Sequence, residues 1–133
     1  MSIKVALATK LKSISALTAI VSTRIYSVAL PQDFTLPAVT FRMVADETMR
    51  TLAGHSGKAR TTFEITSFAT TDTAAESTGE IIRKALDGMT PATISTVKIR
   101  SVSMTDRSDD YDSDINVFGR IMTFKIAFEE ATT

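Results

Sequence analysis

The chain has 133 residues, a usual size for one domain, and 44% of them are hydrophobic, which is enough for one packed core. Its 15 basic and 15 acidic residues balance, so no overall field favours binding to DNA or to an anionic membrane. The absence of cysteine excludes disulfides, thiolate metal sites and cysteine nucleophiles. We therefore expect a single domain over residues 1–133 that recognises its partners through local patches.

The N-terminal segment places apolar residues at three- and four-residue steps, a spacing typical of one helix face. These residues are Ile3, Leu7, Leu11, Ile14, Leu17 and Val21. Ser13 marks a point where the stripe can divide into two helices. Residues 1–12 lack the apolar run and cleavage site of a signal peptide, and the sequence has no transmembrane run. We expect a soluble chain that is made in the cytoplasm.

An extended connector and two strands are predicted next. Pro31 and Pro37 bracket residues 32–36, which cannot continue a helix. Apolar and polar residues then alternate from Ala38, and again over residues 61–68, with the period of a strand. The intervening residues 46–60 are too many and too polar for a tight turn, so they predict a projecting loop.

A second helix is predicted over about residues 72–87. Thr73 and Glu76 have the spacing of a capping box, while Gly88 and Pro91 provide a stop. Its predicted apolar face contains Ala75, Gly79, Ile82 and Leu86.

The last third of the chain predicts two more strands around an acidic loop. Residues 94–104 form the first, whose apolar phase shifts between Ile99 and Val102 as at a β-bulge. Residues 106–116 predict a projecting loop, and alternation from Met122 to Phe128 predicts the final strand. The fold class is therefore α+β: a mostly antiparallel four- to five-stranded sheet, with N-terminal helices and one central helix on one face.

The central helix also predicts where the two loops lie. If this helix returns the chain across the sheet as a crossover connection, the two loops fall at opposite ends of the sheet. Contact between them within one chain is then not expected.

Catalytic and cofactor motifs are absent from the sequence. The only histidine, His55, lies in a loop rich in glycine and serine, where a solvated role is favoured. No glycine-rich phosphate loop and no paired-histidine metal spacing occurs. We expect no enzymatic activity and no cofactor.

The acidic loop has three open interpretations: a calcium site, a solvated loop or a protein interface. Asp106, Ser108, Asp110 and Asp112 alternate as the ligands of a calcium loop do. However, Tyr111 stands where the sharp turn of such a loop needs glycine, and position 117 lacks the closing glutamate. The calcium interpretation is the weakest of the three.

Three stretches of the sequence resemble the tail-completion, or tail-terminator, family of siphophages. The run "LKSISALTAIVSTRIYSVALPQDFTLPAVTFRMV" is similar to the family's "ALxALVxxRIYP" segment followed by "LPxVxF". Its matching residues are Leu17, Val21, Arg24, Ile25, Tyr26, Leu36, Pro37, Val39 and Phe41. "GHSGKARTTFEITSFATTDTAAESTGEIIRKALDG" and "DRSDDYDSDINVFGRIMTFKIAFEE" also resemble family segments. Ser27, Phe68 and the pair Ala127 and Phe128 depart from the family's proline, tryptophan and Trp-Tyr pair.

This resemblance implies a structural virion protein that forms a hexameric ring on the end of the tail tube, at the head–tail junction. Tail tube protein contacts one face of such a ring, a head-completion or connector protein contacts the other, and phage DNA passes through the pore without sequence-specific binding. Assembly takes place in the host cytoplasm. A head-completion or stopper ring of the same neck is the nearest alternative, and a small enzyme or ligand-binding domain is an alternative of another class.

The two predicted loops supply the candidate interface residues. These are Arg50, His55, Lys58 and Arg60 in the first loop, and Asp106, Asp109, Asp110, Tyr111 and Asp112 in the second. The loops carry opposite charge, so at least one is expected to bridge to a neighbouring subunit or the adjoining ring. Two alternatives remain: the acidic loop faces the pore, where it repels DNA, or both loops are simply solvated.

Overall fold

One six-stranded sheet and three helices make up the described part of the chain. The computed structural model describes residues 3–51, 54–94 and 96–130, apart from the side chains of 47–58 and 130. The elements are α1 (Ile3–Lys12), α2 (Ser15–Val21), β1 (Ile25–Ser27), β2 (Ala38–Thr51), β3 (Gly54–Ala69), α3 (Asp72–Leu86), β4 (Ala92–Ile94), β5 (Val97–Asp112) and β6 (Val117–Glu130). The strand order in the sheet is β1-β2-β3-β6-β5-β4. The predicted α+β class is confirmed.

The strand count and the pairing differ in part from the prediction. The sheet has six strands instead of four or five, and β1 pairs with β2 in parallel, whereas the other pairs are antiparallel. The additional strands β1 and β4 have three residues each. Such short segments are too brief to produce a period-2 pattern in the sequence.

Both projecting loops were predicted wrongly, because most of their residues continue the strands. Residues 46–51 and 54–60 belong to the β2–β3 hairpin, which stays paired to its last described register pair, Thr51 with Gly54. Residues 106–112 belong to β5, and the chain reverses only over residues 113–116. Main-chain hydrogen bonds to a neighbouring strand need no apolar side chain, so polar composition did not prevent strand formation.

The two hairpins nevertheless lie at opposite ends of the sheet, as predicted. In the pairing of β3 with β6, Lys58 is opposite Glu129 at the end near the β2–β3 turn. Ala69 is opposite Phe118 at the other end, near the β5–β6 turn. Helix α3 carries the chain from β3 over to the far side of β6, so β3 and β5 run in the same direction.

The helices pack on one face of the sheet and form the core with it. Phe63 lies opposite Phe124, and Ile65 lies opposite Met122; all four side chains are buried. Their cluster includes Ile82 and Leu86 of α3 together with residues of α1 and α2. The predicted break near Ser13 between two N-terminal helices is confirmed. Across the described residues, no helix is long and apolar enough to cross a membrane.

Strand β5 contains two bulges. One lies between Ile99 and Ser101, as the phase shift in the sequence predicted, and the other lies between Met104 and Asp106. Arg100 and Thr105 are the additional residues that have no partner in the register. Each bulge changes which sheet face the following residues occupy.

Helix α3 ends as predicted but begins with a different cap. Gly88 has φ +69°, which suits glycine, and its N–H donates to the Val102 carbonyl at 2.8 Å. At the start, Thr71 is the cap, and its Oγ1 accepts from the Ala74 N–H at 3.1 Å. The predicted capping box of Thr73 and Glu76 is therefore wrong by two residues.

We expect Thr71→Ala to lower the free energy of unfolding by about 1 kcal/mol, because a free amide at the start of α3 loses its acceptor. Thr73→Ala is the matched control, since Thr73 is exposed and lies inside the first turn. The control should change stability by no more than a few tenths of a kcal/mol. Urea unfolding followed by circular dichroism measures both; equal losses would contradict this cap assignment.

Candidate assembly surface

The first group of predicted interface residues lies along the arms of the β2–β3 hairpin. Arg50 in β2 is opposite His55 in β3, and Lys58 is opposite Glu129 of β6. The side chains of residues 47–58 lie outside the described part of the structure. Arg60 is described, and its side chain is exposed. The backbone thus brings the basic positions to one end of the sheet.

The second group lies on β5, where strand alternation divides its charged residues between two faces. Arg107, Asp109 and Tyr111 are opposite Met122, Arg120 and Phe118 on the face that carries the helices. Asp106, Asp110 and Asp112 are opposite Thr123, Gly119 and Val117 on the other face. We call this second face, away from the helices, the open face. The sequence prediction treated these residues as one acidic loop, but the strand gives them two surroundings.

The charged residues of β5 on the helix side are held by partners within the chain. Arg107 Nη1 lies 3.0 Å from Glu80 Oε1 on α3. Arg120 Nε lies 3.2 Å from Asp109 Oδ1, and its Nη2 lies 3.4 Å from Glu76 Oε1. Arg120 is 16% exposed and so is the most enclosed cation of this network. These contacts join α3 to β5 and β6.

Glu80 is the other branching point of the same network. Its Oε2 accepts from Arg83 Nε at 2.9 Å, in addition to the contact of Oε1 with Arg107. The hydrogen bond from Arg83 lowers the pKa of Glu80 below its ordinary value; partial burial opposes this, and the charges of Arg83 and Arg107 reinforce it. The carboxylate therefore stays ionised at neutral pH and keeps both cations in place.

Tyr111 contributes packing and a hydrogen bond near the β5–β6 turn. Its ring centroid lies 4.5 Å from that of Phe118, and its hydroxyl donates to Asn116 Oδ1 at 2.6 Å. The side chain is still 47% exposed. Tyr111 thus stabilises the hairpin locally while it leaves an aromatic edge available to a partner.

The acidic residues on the open face have different surroundings. Asp106, Asp110 and Asp112 are exposed, and none of them forms a salt bridge with another described residue. We call these three residues the acidic row. Asp106 accepts from the Arg107 amide and Asp112 from the Asp114 amide, so their hydrogen bonds are local. Their negative charges are available to a partner.

The opposite end of the open face carries two exposed cations. Arg60 and Lys125 line one depression of about 220 Å³ together with Ser101 and Ser103. Both cations are exposed, and neither forms a salt bridge with another described residue. We call these two residues the basic patch. On the same face, level with Asp106, Arg42 pairs with Glu64 at 3.1 Å.

Sequence reasoning missed Lys125 and the residues that connect α3 to β5. Lys125 could have been found from the sequence, because the alternation from Met122 to Phe128 assigns its side chain to the face opposite the core. Glu76, Glu80 and Arg120 had no comparable signal. Their roles depend on how α3 lies over β6, which periodicity does not specify.

The strand geometry also bears on the calcium interpretation of the acidic segment. A calcium loop folds back so that alternate oxygens converge, whereas β5 is extended and directs Asp109 and Asp110 to opposite faces. Among the side chains that the structure describes, which exclude those of residues 47–58 and 130, no group of three His, Asp or Glu is placed to hold a metal ion.

Comparisons with known proteins agree with this architecture. A chain from the virion of a native gene transfer agent particle has a TM-score of 0.72 and 16% identity, with 94% of this chain and 92% of that chain covered. A second solved chain has a TM-score of 0.62 and 12% identity, with 100% and 99% covered. At these identities the likeness concerns the fold. A comparison with curated protein sequences found no significant match.

The comparison with protein-family models identifies the family of the chain in addition to its fold. The model of the family described as tail completion protein gp17 matches residues 5–129 of this chain. That range includes both hairpins, α3 and the whole sheet except the last residue of β6. The chain therefore belongs to the tail completion protein gp17 family and is a bacteriophage virion structural protein.

Proposed function

We propose that the chain is a subunit of a hexameric ring that caps the tail tube, ends tube polymerisation and provides the surface for head–tail joining. The observation that carries this proposal is the family match over residues 5–129. In this role the protein acts by binding alone, without catalysis or a cofactor. The ring is assembled in the host cytoplasm and resides at the head–tail junction of the virion.

The placement of the hairpins supports a ring subunit with two different surfaces. A ring of this kind contacts the tail tube protein on one side and a head-completion or connector protein on the other. The two hairpins lie at opposite ends of the sheet, and the candidate residues on their arms carry opposite charge. One subunit can therefore present chemically distinct ends to two partners.

The candidate interface residues divide into two kinds in this proposal. Arg60, Asp106, Asp110 and Asp112 are exposed on the open face and available for contact, with Arg50, His55 and Lys58 on the adjoining hairpin arms. Asp109 and Tyr111 act mainly in holding the β5–β6 hairpin, because each already has a partner within the chain. In an alternative arrangement the acidic row lines the pore, where negative charge keeps passing DNA from binding.

A tube-binding experiment tests the capping function. We expect gold-labelled chain to bind one end of purified tail tubes of the cognate phage, and to stop their further growth when tail tube protein is added. Electron microscopy measures both results. Labelling along the tube wall, or binding to tail-less heads with no binding to tubes, would contradict the proposal, and the second result would favour a head-completion ring.

A further inference from the structure

The open face has charged residues of both signs that form no salt bridge with another described residue. Asp110 and Asp112 of the acidic row lie near the β5–β6 turn, Asp106 lies opposite Thr123 in the middle of β6, and the basic patch lies toward the β2–β3 turn. Gly119, opposite Asp110, is six residues from Lys125 along β6, a separation of about 20 Å. Charges this far apart are largely screened from each other at about 0.1 M salt, where the Debye length is about 10 Å. Asp110 and Asp112 are therefore too far from Lys125 to neutralise it within one chain, whereas Asp106, opposite Thr123, lies only two residues from the level of Lys125.

Strand β5 also exposes the acidic row at an edge of the sheet. Among the described residues, β4 pairs only with Val97, Lys98 and Ile99, so the rest of β5 has no strand on its outer side. Charged side chains along a free edge disfavour pairing with the same edge of another copy. Contact through β5 is therefore expected to use its side chains and a surface of opposite charge.

We propose that the acidic row of one copy binds the basic patch of a second copy, head to tail, through their open faces. Each copy has one acidic row and one basic patch, so every copy can use both at once with two different neighbours. Such heterologous contacts close into a ring when the rotation between copies permits it. The inference deepens the proposed ring function, but its test measures only the contact between copies.

Disulfide trapping tests the contact directly, because the chain has no cysteine of its own. Ser108 lies between Asp106 and Asp110 on the open face, and Ser103 lines the depression with Arg60 and Lys125. The two serines are five residues apart on one strand, about 16 Å, which exceeds the reach of a disulfide within one chain. The variant Ser103→Cys/Ser108→Cys can therefore cross-link only between copies.

We expect this variant to give a ladder of trimers and larger species under mild oxidation at about 0.1 M salt, and much less of it at about 1 M. The control Thr73→Cys/Ser108→Cys moves one cysteine to exposed Thr73 on α3, on the other side of the sheet, and should give no ladder. Products that stop at a dimer contradict the head-to-tail arrangement. An absence of any cross-link at low salt overturns the contact itself.

Charge reversal in the same double-cysteine variant tests whether the acidic row and the basic patch form this contact. Asp106→Lys, Asp110→Lys and Asp112→Lys together should reduce the ladder at least about tenfold, the equivalent of a 1.4 kcal/mol loss in binding. Adding Arg60→Glu and Lys125→Glu should restore most of it, because the reversed charges again match. Circular dichroism confirms that each variant is folded, and a folded reversal variant with an undiminished ladder would refute the proposal.

Failure of this inference and failure of the capping function are distinguishable. If the copies cross-link as expected but the labelled chain does not bind tube ends, the contact stands and the capping role is wrong. If tube ends are capped but no ladder forms, the subunits associate through another surface.

Discussion

Replacing Phe124 with alanine is expected to lower the free energy of unfolding by about 3–5 kcal/mol, and so to leave much of the protein unfolded at 37 °C. Phe124 is fully buried at the centre of β6, directly opposite Phe63 of β3, and the helices cover this face. Removing the ring leaves a cavity that the flanking strands cannot close, since main-chain hydrogen bonds hold their spacing. Urea unfolding followed by circular dichroism provides the measurement.

Phe118→Ala is the matched control, because it removes the same side chain from the same strand at a half-buried position. Phe118 contacts Tyr111 near the β5–β6 turn and lies away from the central cluster. Its loss should cost less than about 2 kcal/mol. Equal losses in the two variants would mean that the core is not centred on β3 and β6.

Inactivating the gene in the phage is expected to abolish infectious particles while heads still fill with DNA. Filled heads and separate tails should accumulate, and some tails should exceed the normal length, because the proposed ring both caps the tube and creates the joining surface. Electron microscopy of lysates and plaque titre measure this outcome, and supply of the gene from a plasmid should restore joining. Empty or misshapen heads that carry properly attached tails would contradict the assignment.

Helix α3 and the parts of the central strands that pack in the core could be predicted from the sequence. Burial of one face requires apolar residues at a regular spacing, and that spacing is visible in the sequence. The buried positions Ala75, Gly79, Ile82 and Leu86 recur with the helical period, and β6 alternates from Met122 to Phe128. The periodicity did not show why position 79 is a glycine. A Cβ there would lie 2.9 Å from Arg120 Cγ, which is too close. The glycine lets α3 approach the stem of Arg120 closely.

The hairpin arms could not be predicted in the same way, because polar strands lack an apolar period. Residues 106–112 are strand because β6 pairs with them, so the signal for their structure lies in the partner sequence. For the same reason the sequence could not predict which acidic residues form salt bridges within the chain and which do not. It requires the register of β5 on β6, together with the position of Glu80 on α3.

The second bulge of β5 has an evolutionary consequence. Thr105 is the additional residue between Met104 and Asp106, and it sets the phase of every residue that follows up to the turn. Deleting this one residue while the bulge itself was kept, with Asp106 taking the unpaired position, would turn Asp110 toward α3 and bring Arg107 and Asp109 to the open face. A lineage can thus exchange the chemical identity of this surface in one mutational event without any amino-acid replacement. Related proteins that differ here by a single-residue gap are expected to choose different neighbours, even when their compositions match.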